Sequence, residues 1–359
     1  MIAQIIAGII FAIGYFGIAT EHRFGINKAA WALATGGLLW VVVALSGIHH
    51  IEEYLTEAGS EIFSLVVFLL AAMSLVEILI SCGVFDRLRS KMLEYNLDNT
   101  KQLLVIMAAV FVLSAIVDNL TATIIMLQIA RKFFRGHNLL VAAAGVVIAA
   151  NAGGAFSPIG DVTTIMLWIA GKFSALEVIA GAILPSITIG TVSYLLLSKK
   201  INNDNPDDTP ETESTGAFSL GKKIIIASAG VSFLLPMIFK LIHLPPVLGI
   251  LTGLGITWML VDLVEHNGKR ESRLAARMES LIQKIDMASI KFFIGILLAV
   301  SALSALGVLD VLSGIIYGAD QETSRVIVGN VILGALSSIL DNIPLTAITI
   351  DILDVADTS

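Results

Sequence analysis

Charge is what this sequence lacks most. Asp, Glu, Lys and Arg together make up 14% of its 359 residues, little more than half of the ~25% usual in a soluble domain. Apolar residues make up 56%, and the mean hydropathy is +0.89. These values exclude an ordinary water-soluble domain. The single cysteine, Cys82, excludes an internal disulfide and reads as a small core residue. No nucleotide-binding motif is present, which excludes transport driven by nucleotide hydrolysis, and no basic nucleic-acid patch stands out. No thiolate or imidazole cluster offers a transition metal a site. The first apolar run has neither a basic leader nor a small-residue cleavage site after it, so it reads as a retained helix rather than a signal peptide.

What is present is apolar sequence in long runs. Stretches able to cross about 30 Å of hydrocarbon lie near 2–19, 29–47, 62–83, 139–170, 174–197, 223–240, 246–264 and 290–309. Two more, near 103–130 and 325–352, are interrupted in the middle. Lys and Arg cluster at 20–28, 84–101, 131–135, 199–223 and 269–291, whereas 47–61 has none. The positive-inside rule therefore puts those clusters in the cytoplasm and 47–61 outside as a polar loop. His49 and His50, beside Glu52 and Glu53, belong to that loop. Because 103–130 is flanked by basic residues on both sides, it reads as a re-entrant hairpin entering from the cytoplasm. Non-helical backbone at that depth needs protein or a water-filled cavity around it. Counting spans onward, 325–352 enters from the outer face.

An internal match joins the two hairpins. Residues 114–119 read SAIVDN and 337–342 read SSILDN; upstream, 83–86 read GVFD and 307–310 read GVLD. The offsets are 223 and 224 residues, and entry from opposite faces makes an inverted-topology repeat, as in many secondary transporters. The expected architecture is an all-α polytopic membrane protein. Its first half is 1–200, with a hairpin and a broken helix at 139–170. A polar linker, 201–222, follows, and 223–359 forms a second, incomplete half.

The stretch NAGGAFSPIGDVTTIMLW, 151–168, explains the broken helix. Gly153, Gly154, Pro158 and Gly160 favour an unwound centre that frees carbonyls and exposes half-helix ends. Ser157, Asp161, Thr163 and Thr164 add oxygen ligands there, and Asp118, Asn119, Thr121 and Thr123 cluster at the first hairpin tip. Such oxygens suit a hard cation such as Na+. A carboxylate at mid-bilayer costs roughly 2.5–3.5 kcal/mol on insertion scales, so two or three in one site imply a compensating cation or a bound proton. Each residue also has a plainer role. Asp118 and Asp341 can cap helices, Asn151 reads first as a helix–helix hydrogen bond, and Glu77 is either a proton site or a structural hydrogen-bonding group. Leu274, Met278, Leu281, Ile282 and Ile285 lie at helical spacing, as in an interfacial helix on the cytoplasmic face.

At EHRFGINKAA, SLVEILISCGVFD, SAIVDNLTAT, NAGGAFSPIGDVTT and SSILDNIPLTA, nearly the whole chain resembles the NhaD-type sodium/proton antiporters. These lie in a larger superfamily that includes dicarboxylate and arsenite carriers. The resemblance implies an ion site lined by Asp118, Asn119, Thr121, Ser157, Asp161, Thr163 and the repeat equivalents Asp341, Asn342 and Thr346. Na+ would sit at Asp118, Asp161 and Thr163. It implies a homodimer in the lipid bilayer, with a scaffold carrying a mobile hairpin-bearing part, and the bacterial inner membrane as its location. The transported ions are Na+ and H+, with Li+ as a further candidate, no cofactor and no nucleotide. Exchange follows from competition of the two ions for the same buried carboxylates. The alternatives are an anion carrier of the same superfamily and an intramembrane aspartyl protease. Bare carboxylates repel an anion, and the residues before Asp161 depart from the protease pattern. No counterpart of NAGGAFSPIGDVTT follows SSILDN, so the repeat implies that about two membrane elements are missing and that the 359-residue chain alone transports poorly.

Overall fold

Every regular element is helical among the described residues of the computed structural model, which are 1–94, 97–202, 218–267, 286–316, 323–337 and 342–358. In chain order they begin with α1 (Ile2–Ala19), α2 (Glu21–Phe24), α3 (Lys28–Leu45), α4 (Ile51–Ser81) and α5 (Val84–Glu94). Next come α6 (Asn99–Ser114), α7 (Asn119–Phe133), α8 (Gly136–Ala155), α9 (Val162–Ile169) and α10 (Ala175–Ser198). The chain continues with α11 (Leu220–Ser232), α12 (Leu235–Leu241) and α13 (Pro246–Asn267), then α14 (Met287–Ala305), α15 (Val308–Ile316), α16 (Thr323–Ser337) and α17 (Asn342–Thr358). Among the described residues, eight helical segments are long and apolar enough to cross a membrane, α11 and α12 counting as one. This is a multi-pass integral membrane protein.

Three boundaries differ from the sequence expectation. Residues 51–61, expected in an outer loop, are the start of α4, which runs for 31 residues. At 1.5 Å per residue that is roughly 46 Å, so its acidic beginning extends past a ~30 Å hydrocarbon layer. Glu52 and Glu53 sit in its first turn, where the helix dipole favours negative charge. The expected span 223–240 is two helices, because the chain turns at Phe233–Leu234 and Pro236 opens α12. The expected linker ends earlier than 222: Ser219 caps α11 by accepting the Lys222 N–H. Residues 203–217, the amphipathic stretch 274–285 and Asp341 lie outside the described residues.

The chain folds as two compact units, Met1–Leu69 with Asp286–Ser359, and Leu70–Ile285. In the first, α3 packs along α14 and α1 along α3. Closeness rests on small residues, as is usual between membrane helices: a side chain at Gly295 would meet the α3 backbone at Leu33, 2.4 Å away. The Trp40 indole donates to the Leu298 carbonyl (3.0 Å), and the Gln4 amide to that of Leu306 (3.1 Å). At the end of this unit, Leu333 of α16 packs with Leu312, Leu345 and Ile348 of α15 and α17.

In the second unit α8 is the hub, touching α6, α7 and α10. Leu103, Ile106 and Val110 of α6, Met126 of α7 and Ala142, Val146 and Ala149 of α8 share one core. Cys82 is buried with Ile78, Ile225 and Val261, where α4, α11 and α13 meet. At the start of α8, Asn138 clasps the chain leaving α10. Its amide donates to the Asn202 carbonyl (2.8 Å), and its carbonyl oxygen accepts the Asn202 N–H (2.9 Å). Asn99, at the start of α6, donates to the same carbonyl (3.0 Å).

The helix boundaries also recur at the spacing of the sequence match. Gly83 and Gly307 both end a helix in the left-handed conformation (φ +82° and +68°), and α5 and α15 start on the next residue. The pairs α6–α7 and α16–α17 break between Ser114 and Asn119 and between Ser337 and Asn342.

Candidate ion site

The run 139–170 is a helix broken at its centre. Here α8 ends at Ala155 and α9 begins at Val162, and the residues between them are buried save Phe156, which is half-buried. Glycines permit this. A side chain at Gly153 would lie 2.1 Å from the Phe111 carbonyl oxygen, and one at Gly160 would lie 2.5 Å from that of Ser114. The end of α6, the end of α8 and the break therefore touch backbone to backbone. Ser114, fully buried, ties them further by donating to the Ala150 carbonyl (2.6 Å).

Two carboxylates stand at helix beginnings in this corner. Asp118 caps α7 by accepting the Thr121 N–H (2.9 Å). Asp161, buried, caps α9: its Oδ1 accepts both the Thr163 N–H (2.8 Å) and the Thr163 hydroxyl (2.6 Å). The two caps are joined by Asn119, whose amide donates to Asp161 Oδ2 (2.5 Å) and to Asn151 Oδ1 (3.1 Å). Asn151 in turn donates to the Val147 carbonyl of its own helix (2.8 Å). Within 161–164 the turn is closed by the Thr164 hydroxyl donating to the Asp161 carbonyl (2.8 Å). Ser157 is buried in the break, its hydroxyl oxygen accepting the Ile159 N–H (3.3 Å).

The structure thus brings Asp118, Asn119, Thr121, Asn151, Asp161, Thr163 and Thr164 into one set, with Ser157 in the same break. Thr123 is half-buried on α7, two residues beyond Thr121, and makes none of these hydrogen bonds. Glu77 is half-buried on α4. Asn342 and Thr346 belong to α17, in the other unit. Ser114 escaped sequence reasoning because its partner is a backbone carbonyl; the available signal was its recurrence as Ser337.

Electrostatically the corner favours a cation. The negative partial charge of the α6 and α8 C-terminal ends is offset by the positive N-terminal ends of α7 and α9, while the break leaves carbonyls without helical partners. Two carboxylates add formal charge, and the surrounding Ser, Thr and Asn oxygens are the neutral donors that a hard cation accepts as ligands.

The chain is similar to several known proteins. A family profile described as citrate transporter, CitMHS, matches residues 9–358. Sodium/proton antiporter 1 of Arabidopsis thaliana is 36% identical over 355 residues, covering 96% of this chain and 60% of that protein. Sodium/proton antiporter 2 of the same plant is 34% identical over 358 residues, 97% of this chain and 83% of that protein. The Na+/H+ antiporter NhaD of Vibrio cholerae is 30% identical over 368 residues, 94% of this chain and 75% of that protein. The chain therefore spans three fifths of the length of the first of these relatives and more of the others.

Proposed function

The chain belongs to the citrate-transporter family CitMHS and, within it, to the NhaD-type sodium/proton antiporters, and from that premise we propose that it exchanges Na+ for H+ across a membrane. The observation that carries this reading is the Asn119 amide, which donates to Asp161 across the helix break.

Asp161 receives three hydrogen bonds, from Thr163 N–H, Thr163 hydroxyl and Asn119. An ionised carboxylate accepts all three; a protonated one must also place a donor. A proton on Oδ2 adds a donor there and makes that oxygen a poorer acceptor, so the Asn119 contact weakens. Na+ on the carboxylate leaves it an acceptor and lets Asn119 stay. The two ions are then alternatives at one group, and the choice between them is felt by α7 through Asn119. Li+, with the same charge and oxygen preference, is a second candidate cargo.

We read α6–α7 and α16–α17 as re-entrant pairs of opposite orientation, supported by the recurring helix boundaries, with 1–200 and 223–359 as the two halves. A homodimer and the bacterial plasma membrane complete the proposal, although the relatives come from plants as well as bacteria. The description of the family as citrate transporters favours an anion cargo as the second reading. Against it stand two carboxylates in the corner, which repel a polycarboxylate. The relatives carry transporter names, which supports transport rather than peptide cleavage.

The test is proton release. NaCl is added to the purified chain in lightly buffered detergent with a pH indicator, across a range of starting pH, with choline chloride as control. Na+ is expected to displace protons, and Asp161→Asn or Asp118→Asn to abolish the release while the protein stays folded. Undiminished release from Asp161→Asn would remove that carboxylate from the site. Release by citrate in place of Na+ would favour the anion reading.

A further inference from the structure

A cavity of about 170 Å3 opens between α6, α8 and α10. Met107 and Phe111 of α6, Ala149 of α8, and Ile187, Gly190 and Tyr194 of α10 define it. Its only hydroxyls come from Tyr194 and Thr191 of α10. Cavities of about 150 Å3 lined by aliphatic and aromatic side chains stay dry and take apolar guests, because water finds too few partners in them.

The surroundings say which guest is at hand. The helix α10 is apolar and has a single buried residue, Ser186. On the cavity rim Leu104 is 44% and Ile187 47% exposed. These rim residues sit beside the exposed apolar side chains of α10, a helix long and apolar enough to cross a membrane. The cavity is also oriented for a chain. Tyr194 lies four residues before Ser198, next to the basic pair Lys199 and Lys200, at the interfacial depth where Tyr is enriched. From there to Ile187 the cavity runs inward along α10 for seven residues, roughly 10 Å. Gly190 makes the room, since a side chain there would have only the Phe111 ring near it, 3.8 Å away.

We propose that this cavity is a binding site for one acyl chain of a bilayer phospholipid, entering beside Tyr194 and ending near Ile187. A single side chain separates that guest from the helix break. The Phe111 ring forms the cavity wall and stacks on Phe156, centroids 5.3 Å apart, while the Phe111 carbonyl abuts Gly153.

The site is tested by photolabelling, which reads occupancy without requiring transport. The wild-type chain and Gly190→Leu are reconstituted in phosphatidylcholine vesicles whose acyl chains carry a diazirine at mid-chain, illuminated, and mapped by peptide mass spectrometry. In the wild type, adducts are expected on Met107 as well as on the outward-facing Leu184 and Leu195 of α10. In Gly190→Leu, which fills the cavity, the Met107 adduct is lost while those on Leu184 and Leu195 remain, reporting a folded, inserted protein. Gly190→Val serves as the smaller filler should the leucine variant fail to insert. Three outcomes overturn the proposal: no adduct on Met107 in the wild type, an equal adduct in both filled variants, or cross-linking of two copies through Ile187→Cys, which would mean a second chain covers the mouth.

Discussion

Two helix pairs, α6–α7 and α16–α17, carry related residues at their facing ends and keep different company. In the first, the corner residues Ser114 and Asn119 reach outward, to Ala150 of α8, to Asn151 and to Asp161 of the break. In the second, Ser337 and Asn342 hydrogen-bond each other (2.7 Å), with Ser337 half-buried and Asn342 exposed. The same residue types therefore build a polar site only where other elements bring them partners. The chemistry of the first corner belongs to the contact with α8 and α9, not to the corner motif alone.

Five experiments press on that contrast. The sharpest is all-or-none and concerns orientation. In a Cys82→Ala background, single cysteines at Lys91 and His137 are expected to react with an impermeant reagent from the cytoplasmic side, and one at Ser324 from the opposite side. Labelling at 137 from outside would mean that α6–α7 crosses the membrane.

The next effect is steric. Gly160→Ala puts a methyl against backbone atoms at 2.5–2.9 Å that cannot turn aside. It should destabilise the chain by about 1–3 kcal/mol or more. Gly334→Ala, on the exposed side of α16 with nothing within 4 Å, should be neutral or gain about 0.5–1 kcal/mol from helix propensity. Thermal unfolding in detergent reads both, and equal shifts would contradict the tight corner.

Third, Asn119→Ala leaves two acceptors bereft and should lose about 1–3 kcal/mol, whereas Asn342→Ala should stay within about 0.5 kcal/mol. Fourth, Ser114→Ala removes one buried hydrogen bond, about 1 kcal/mol, against no measurable change for Ser337→Ala.

The smallest effect concerns pH at the exposed start of α6. The Lys101 ammonium and N–H hold Asp98 below the usual aspartate range. A group whose folded pKa is depressed contributes stability above its unfolded pKa, and loses it as pH falls through the folded value. Lys101→Met should thus lower neutral-pH stability slightly, leave stability below the folded pKa unchanged, and so flatten the acid limb of the stability curve. An unaltered limb would show the pair to be energetically silent.

Much of this was readable before any coordinates. The spans were visible because uninterrupted apolar runs have few other uses, and Asp161, Asn119 and Thr163 because polar atoms stand out in such runs. Residues 51–61 were misread for the same reason: helicity outside the bilayer leaves no hydropathy signal, and Glu52, Glu53, Glu57 and Glu61 look like a loop. The turn at Phe233–Leu234 was hidden because apolar residues continue through it. Which oxygens meet was not readable either. Ser114 bonds a backbone carbonyl 36 residues away, and backbone partners have no letter in a sequence.

The clasp between Asn138 and Asn202 has a mechanical consequence. It fastens the beginning of α8, through Asn202, to the exit of α10 and the start of α6, while the break lies at the other end of α8. The arm from Asn138 to Ala155 is 17 residues, roughly 25 Å. Pinned at the clasp, α8 is a lever with its load at the ion corner: each degree of tilt about the pin carries the break about 0.4 Å, and the clasp itself hardly moves.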